Sequence, residues 1–495
     1  MPPLRLAFST AILAMTAACW WLEQGPLAAL PPALPEIIDG TPYRVVVDHE
    51  EATVDLNFSG DERYLIVMAS LAGSEGEHVV SISGRPVSGV ISRPITPVQP
   101  LDLSHLPPIQ LPDVPNTGAG TTIAAKSRDF YLHVTDGALD DPRSYRPIRA
   151  ALIAEGRHVR VYLDGDQTTG ELYPGVVAEL IRIFDEEIYP ASSRHYGRAL
   201  DVDGDGKFAV VISHWLGKLQ GGRTSVGGFV RGSDLTPAIA PPFGNRADVL
   251  YLNSNIAAGR QLKTLLAHEY THAVLFSARR RLVGITTTVV DEEDWLNEAI
   301  AHLAENRHRG DWSNLDHRIH AFLQDPAASP LVVSDYYRTG RWRDHGCRGA
   351  TYLFLRWCAD NYGEEIVRQL IHSRQSGRAN LEHATGRPFD ELFRRWTIAS
   401  ARPSENHRYL SLNSRLGRFD LQGVARKEWF VDGPPIRFPI CGTACQFVEI
   451  SAENPRQFYR VTISAPASAK LQVTLIKCPV RTSSPDAPGA ELAAR

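Results

Sequence analysis

Cysteine is scarce in this chain, with six in 495 residues. Cys19 falls in an apolar N-terminal stretch, which leaves Cys347, Cys358, Cys441, Cys445 and Cys478 for the rest. An odd number of thiols leaves at least one without an intrachain partner, and so few make a second, cysteine-built zinc site a poor reading. Strong charge of one sign is also missing. A net charge of -4 argues against the basic face that nucleic acid requires. Beyond the N-terminus no run is long and apolar enough to span a bilayer, and no segment repeats. With 43% apolar residues there is material for a large core and more than one domain.

The N-terminus stands apart. Arg5 precedes an uncharged, mostly apolar stretch over residues 6–22, which reads as an export signal within 1–30. Thr16, Ala17 and Ala18 before Cys19 suit signal cleavage, or a lipid anchor on Cys19 with Thr16 in place of the usual Leu. An uncleaved anchor is the third option. A secreted or envelope-associated protein is expected. Residues 36–92 alternate apolar and polar in short runs and suggest a small β domain or prodomain. Residues 93–124 are Pro-rich and read as a linker. Residues 125–402 carry strands first and helices after, an α+β order. Residues 410–478 are again β-rich and sandwich-like, and 479–495 form a polar tail expected to be disordered. The β segments offer surfaces for cell-envelope or glycan contact.

The most informative stretch is His268-Glu269-Tyr270-Thr271-His272. Its surroundings, residues 262–276, contain neither Gly nor Pro and favour a helix. On a helix, positions i and i+4 share a face, so both imidazoles reach one metal, while Glu269 sits beside them as a candidate base. A catalytic zinc needs a third protein ligand and keeps one position for water. Leu275 and Ala278 stand where the metzincin pattern needs Gly and His, which excludes that solution. A carboxylate from a second helix is the alternative. Leu296, Ile300 and Leu303 form an apolar stripe, and Glu298, His302 and Glu305 repeat the spacing on another face. A face carrying two acids and a His is costly to bury unless a cation or hydrogen bonds compensate it, so Glu298 is the expected third ligand. Asp291, Glu292, Glu293 and Asp294 precede that helix and read as negative charge satisfying its amides and macrodipole.

His268-Glu-Tyr-Thr-His272 followed by Trp295-Leu-Asn-Glu-Ala299 resembles the gluzincin metallopeptidases, the thermolysin-like clan, and within it the hyicolysin-type neutral peptidases. At lower specificity the resemblance runs over residues 128–400 and takes in Asp201-Val-Asp-Gly-Asp-Gly-Lys207 and Gly386-Arg-Pro-Phe-Asp390. It implies a two-lobed zincin core flanked by small β domains, one Zn2+ on His268, His272 and Glu298, Glu269 as catalytic base, and a polypeptide substrate. Two departures stand out. Ala299 replaces a frequent Gly, and His302 stands where thermolysin-like enzymes carry the Asp that orients a zinc His. His302, Glu305 and Asp294 are therefore the candidates for orienting the ligands. The clan stabilises the oxyanion with a Tyr or His on a neighbouring segment; here Tyr336, Tyr337, His345, Arg348 and Tyr352 are the candidates. Arg348 stands where relatives often carry Tyr. The clan also binds substrate along an edge strand above the zinc helix, for which residues 247–252 have the composition and position. Gly221, Gly222, Gly227 and Gly228 suit an adjacent rim or plain turns.

Asp201, Asp203 and Asp205, with Lys207 at the seventh position, form the front half of an EF-hand-type loop, but Ile212 stands where a bidentate Glu is expected. Ca2+ and an Asx turn both explain these residues. Two other functions stay open: a non-catalytic adhesion protein on a gluzincin-like fold, and an exopeptidase. An intact Glu269 argues against the first, since structural zinc needs no base. No acidic anchor for a substrate amine is evident for the second.

Overall fold

The computed structural model describes residues 37–58, 62–73, 76–88, 95–101, 126–134, 139–218, 225–283, 290–308, 311–336, 338–341, 344–401, 424–454 and 457–478. The signal segment, most of the linker, the C-terminal tail, Gly221, Gly222 and Tyr337 lie outside the described residues. The chain is a mixed α+β protein with a helical region and three β-sheets. In its N-terminal part come β1 (Pro42–Val45), β2 (Val47–Asp48), β3 (Glu51–Phe58), β4 (Arg63–Ser70), β5 (Glu77–Val87) and β6 (Ile95–Pro97). The middle part contributes β7 (Ser127–His133), β8 (Tyr145–Glu155), β9 (Val159–Asp164), β10 (Phe208–Ser213), β11 (Gly228–Phe229) and β12 (Val249–Asn253). The last part contributes β13 (Arg426–Phe430), β14 (Ile436–Cys441), β15 (Cys445–Ser451), β16 (Gln457–Ser464) and β17 (Leu471–Cys478).

The N- and C-terminal strands, read from the sequence as two separate β units, share the same two sheets. One runs β13-β15-β4-β17-β1-β6 and the other β14-β5-β16-β3-β2. β4 lies between β15 and β17, antiparallel to both. Its run Arg63-Tyr-Leu-Ile-Val-Met-Ala-Ser70 lacks polar alternation because both faces are covered. Tyr64, Ile66 and Met68 point into the sandwich with Trp429, Phe438, Val448 and Val473. Leu65, Val67 and Ala69 point outward and join Phe447 and Ile476 in the core of the helical region. The N-terminal segment is thus integral to the sandwich, and the sandwich is cemented to the helices. Arg394, buried on a helix, donates to the Val473 carbonyl and the Thr474 hydroxyl at 3.0 and 2.8 Å across that junction.

The third sheet has the order β11-β12-β10-β9-β8-β7. β9, β10 and β12 are parallel, and the outer pairs are antiparallel. Residues 247–252 are therefore not the edge, because the two-residue strand Gly228–Phe229 covers β12. Sequence periodicity misses so short a strand.

Helices α1 (Val176–Ile183) and α2 (Tyr189–His195) pack near this sheet. They are followed by α3 (Arg260–Val283), α4 (Asp294–Arg307), α5 (Ser313–Gln324), α6 (His345–Tyr362), α7 (Glu365–Ile371), α8 (Gly377–Thr385) and α9 (Phe389–Ala401). In α4 the stripe Leu296, Ile300 and Leu303 is buried as its spacing predicts. The acidic run before α4 ties that helix to α3 through ion pairs: Glu292 pairs with Arg279 at 2.7 Å and Asp291 with Arg280 at 2.8 Å. The N-cap residue, Glu293, makes no side-chain capping bond.

Candidate metal centre

α3 and α4 pack against each other, which brings His268 and His272 of α3 to Glu298 of α4. One ligand atom from each lies within 4.8 Å of the others. The two Nε2 atoms are 3.1 Å apart, and His268 Nε2 is 3.4 Å from Glu298 Oε2. Donors held ~2.0–2.1 Å from a tetrahedral zinc lie ~3.3–3.4 Å from one another, so the spacing fits that ion.

Hydrogen bonding strengthens the fit. His268 Nδ1 faces Glu305 Oε1 at 2.7 Å, and His272 Nδ1 faces Asn297 Oδ1 at 2.8 Å. Both partners accept, so each Nδ1 carries a proton and each neutral ring turns an Nε2 lone pair inward. Glu298 Oε2, buried with no hydrogen-bond partner, adds a third acceptor. Three converging lone pairs repel unless a cation sits among them. In the metal-free chain a proton takes that place. Burial alone would depress His268, but the carboxylates of Glu298 and Glu305 raise it to about 10. His272 is pushed down to about 4, by burial and then by its charged neighbour His268.

Glu269 is buried beside these groups, and burial raises it to about 7, near the ideal for a base at neutral pH. β11 runs alongside it. A Cβ on Gly228 would lie 2.8 Å from the Tyr251 carbonyl, so glycine lets this short strand pair closely with β12, and it passes in ordinary contact with Glu269, whose Cγ would lie 3.5 Å from that Cβ.

The surrounding candidates divide. Glu305 orients His268, and its Oε1 also accepts from His302 Nδ1 and Asn314 Nδ2, each at 2.8 Å. His302, another candidate for orienting a ligand His, instead shares Glu305, with its ring 4.9 Å from that of His268. Asp294 bonds the Tyr336 amide at 2.8 Å and neither histidine. Asn297, which orients His272, was not foreseen; its place directly before Glu298 was the available signal. Arg348 reaches Glu298 Oε1 at 3.1 Å from the first turn of α6. Tyr336 is buried with its ring 5.4 Å from that guanidinium. Tyr352 is buried nearer Arg356 and Asp360, and His345 is exposed.

Asp201, Asp203 and Asp205 also cluster within 4.8 Å. Asp201 accepts from the amides of Asp205 and Gly206 at 3.0 and 3.1 Å, and Gly204 and Gly206 take the left-handed turn at φ 72° and 77°. Arg128 pairs with Asp203 and Arg160 with Asp205. Lys207 turns its ammonium to the Gly156 carbonyl at 2.8 Å. Two of the three carboxylates are thus paired with arginines, and the amide bonds to Asp201 form the Asx turn that the sequence suggests. Among the described residues no helix is long and apolar enough to cross a membrane.

No protein-family model matches the chain. The neutral metalloprotease ShpI of Staphylococcus hyicus is 23% identical over 299 residues, which cover 54% of this chain. The match spans 63% of that relative, just under two thirds of its length. The chain is a distant homologue of that metalloprotease. A solved aminopeptidase A from Legionella pneumophila overlays with a TM-score of 0.26 at 11% identity, over 58% of this chain and 27% of that one. So low a score carries no argument.

Proposed function

We propose that this chain is an exported zinc metalloendopeptidase that hydrolyses polypeptides, with His268, His272 and Glu298 as zinc ligands. The observation that carries the reading is the buried convergence of three lone pairs beside an uncommitted carboxylate, Glu269. The distant homology to a neutral metalloprotease agrees with it. Zinc bound there supplies Lewis-acid chemistry, polarising the peptide carbonyl and making a water acidic.

The residues of the chain do the rest. Glu269 takes a proton from the attacking water and passes it to the leaving amine as the C–N bond breaks. Glu305 and Asn297 hold the two imidazoles in the tautomer that leaves Nε2 free. β11 offers backbone groups on which a peptide adds as a further strand, independently of most side chains. Arg348, beside Glu298, is the group we assign to the developing oxyanion, in place of a tyrosine.

The test compares wild type with Glu269→Gln for zinc content and quenched-peptide hydrolysis. Wild type is expected to carry about one zinc per chain and cut. The variant should keep the metal and lose at least about a hundredfold in kcat. Zinc in both proteins and cleavage by neither would leave a binding protein on a peptidase-like fold.

A further inference from the structure

α5 and α6 approach closely at Gly349, where a Cβ would collide with the Arg318 carbonyl. The approach sets two cations side by side. Arg348 is balanced by Glu298 at 3.1 Å. Arg318 hydrogen-bonds the carbonyl and side-chain oxygen of Asn314 and lies 3.4 Å from His317 Nε2, while the carboxylates of Glu305 and Glu298 act on it only from beyond ion-pair distance. Among the described residues no carboxylate forms an ion pair with it, and its Nε is buried without a partner. Burial, and then Arg348, push Arg318 down to about 10, which still leaves it cationic at neutral pH. A half-buried guanidinium beside a second cation is costly unless an anion arrives to share it.

The cluster opens outward. His317 and His345 are both exposed, their rings 4.5 Å apart and edge to face. His345 precedes Arg348 by three residues on α6 and so lies on the same face, about one helical turn, or ~5 Å, from the group touching Glu298. A bonded chain runs inward from this rim through Arg318 and Asn314 to Glu305 and His268. Arg318 thus stands one hydrogen-bonded residue, Asn314, from the carboxylate that orients His268 and beside the arginine that touches Glu298.

We propose that Arg318, flanked by Arg348 and opening past His317 and His345, is a specificity subsite that selects peptides presenting a carboxylate next to the scissile bond. The inference rests on the peptidase reading and deepens it by naming the substrate class. A guanidinium suits this task because its planar fork matches a carboxylate with two parallel bonds. The carboxylate comes either from a Glu or Asp side chain or from the substrate's own C-terminus.

Two sets of quenched peptides separate these sources on the zinc-loaded full chain. The first has blocked ends and carries one Glu, or Gln in its place. The second has no acidic side chain and ends in a free carboxylate or an amide. Wild type is expected to favour the carboxylate form of one set by about tenfold or more in kcat/KM. That ratio should fall to near one in Arg318→Gln and return only in part in Arg318→Lys, which keeps the charge but loses the two-bond fork. If Arg318→Gln does not fold, His345→Glu at the exposed rim carries the test, and it must lower the ratio. A wild-type ratio near one in both sets, or a ratio untouched by these variants, overturns the subsite and leaves the peptidase standing. No cleavage of any peptide overturns both.

Discussion

Glu305 is the group whose removal most directly tests how the candidate site is organised. It is 2% exposed, and one oxygen accepts from His268, His302 and Asn314 at 2.7, 2.8 and 2.8 Å. Glu305→Gln keeps the shape and one acceptor oxygen but removes the charge. A hydrogen bond to a charged partner contributes about 1.5–3 kcal/mol against about 0.5–1.5 for a neutral one, so the His268 bond weakens by about 1–1.5 kcal/mol. That corresponds to about tenfold weaker zinc binding. Glu305→Ala also releases the ring, and about a hundredfold is expected. Proton competition modifies both figures. In the metal-free chain Glu305 helps hold a proton on His268, and zinc must displace it. Removing the carboxylate weakens that competitor too, so the loss appears smaller at pH 7 and grows as pH rises toward 9. The assay is competition for zinc with a chromophoric chelator at several pH values. Asp294→Asn is the control, since Asp294 bonds the Tyr336 amide instead. Unchanged affinity in Glu305→Gln, or an equal loss in Asp294→Asn, would refute the reasoning.

Other consequences are open to measurement. Glu298 is held well below the usual carboxylate range because, although burial opposes it, Arg348 and His268 favour its charge; His272 is neutral, and only His268 retains a proton at pH 7. Zinc binding at pH 7 should then release about one proton per ion from the ligands, plus the part of a proton that Glu269, raised to about 7, still carries beside them, read from calorimetry in buffers of different ionisation enthalpy. Gly228→Val should keep zinc yet lower kcat/KM by about tenfold or more, because its Cβ meets the Tyr251 carbonyl at 2.8 Å and crowds Glu269. Normal activity would dissociate β11 from the substrate path. Ile66→Ala, at a fully buried position in β4, should cost about 2–5 kcal/mol in urea unfolding, with the sandwich and the helical region melting together. A separate early transition would contradict the shared core.

Local chemistry was legible without coordinates wherever it depends on helical periodicity. The i, i+4 spacing of His268 and His272 and the stripe Leu296, Ile300 and Leu303 specify faces, and faces suffice to propose a metal pair and a partner helix. Glu298 followed from the cost of burying an acid. Which group orients which imidazole did not follow, because Glu305 and Asn297 flank the ligand by different offsets and only the packing of α4 on α3 selects their partners. β11 escaped notice because two residues have no periodicity. The sandwich escaped for a different reason. Alternation identifies a strand and its inward face, but the hydrogen bonds that pair Arg460 with Asp55 along β16 and β3 join residues about four hundred apart. Chain separation that large is invisible to local pattern. The sequence alone determined the two helices that carry His268, His272 and Glu298 and most of the longer strands; only the tertiary structure decided that the chain's two ends close one sandwich and that Arg318 stands beside Arg348, since both depend on contacts between distant segments.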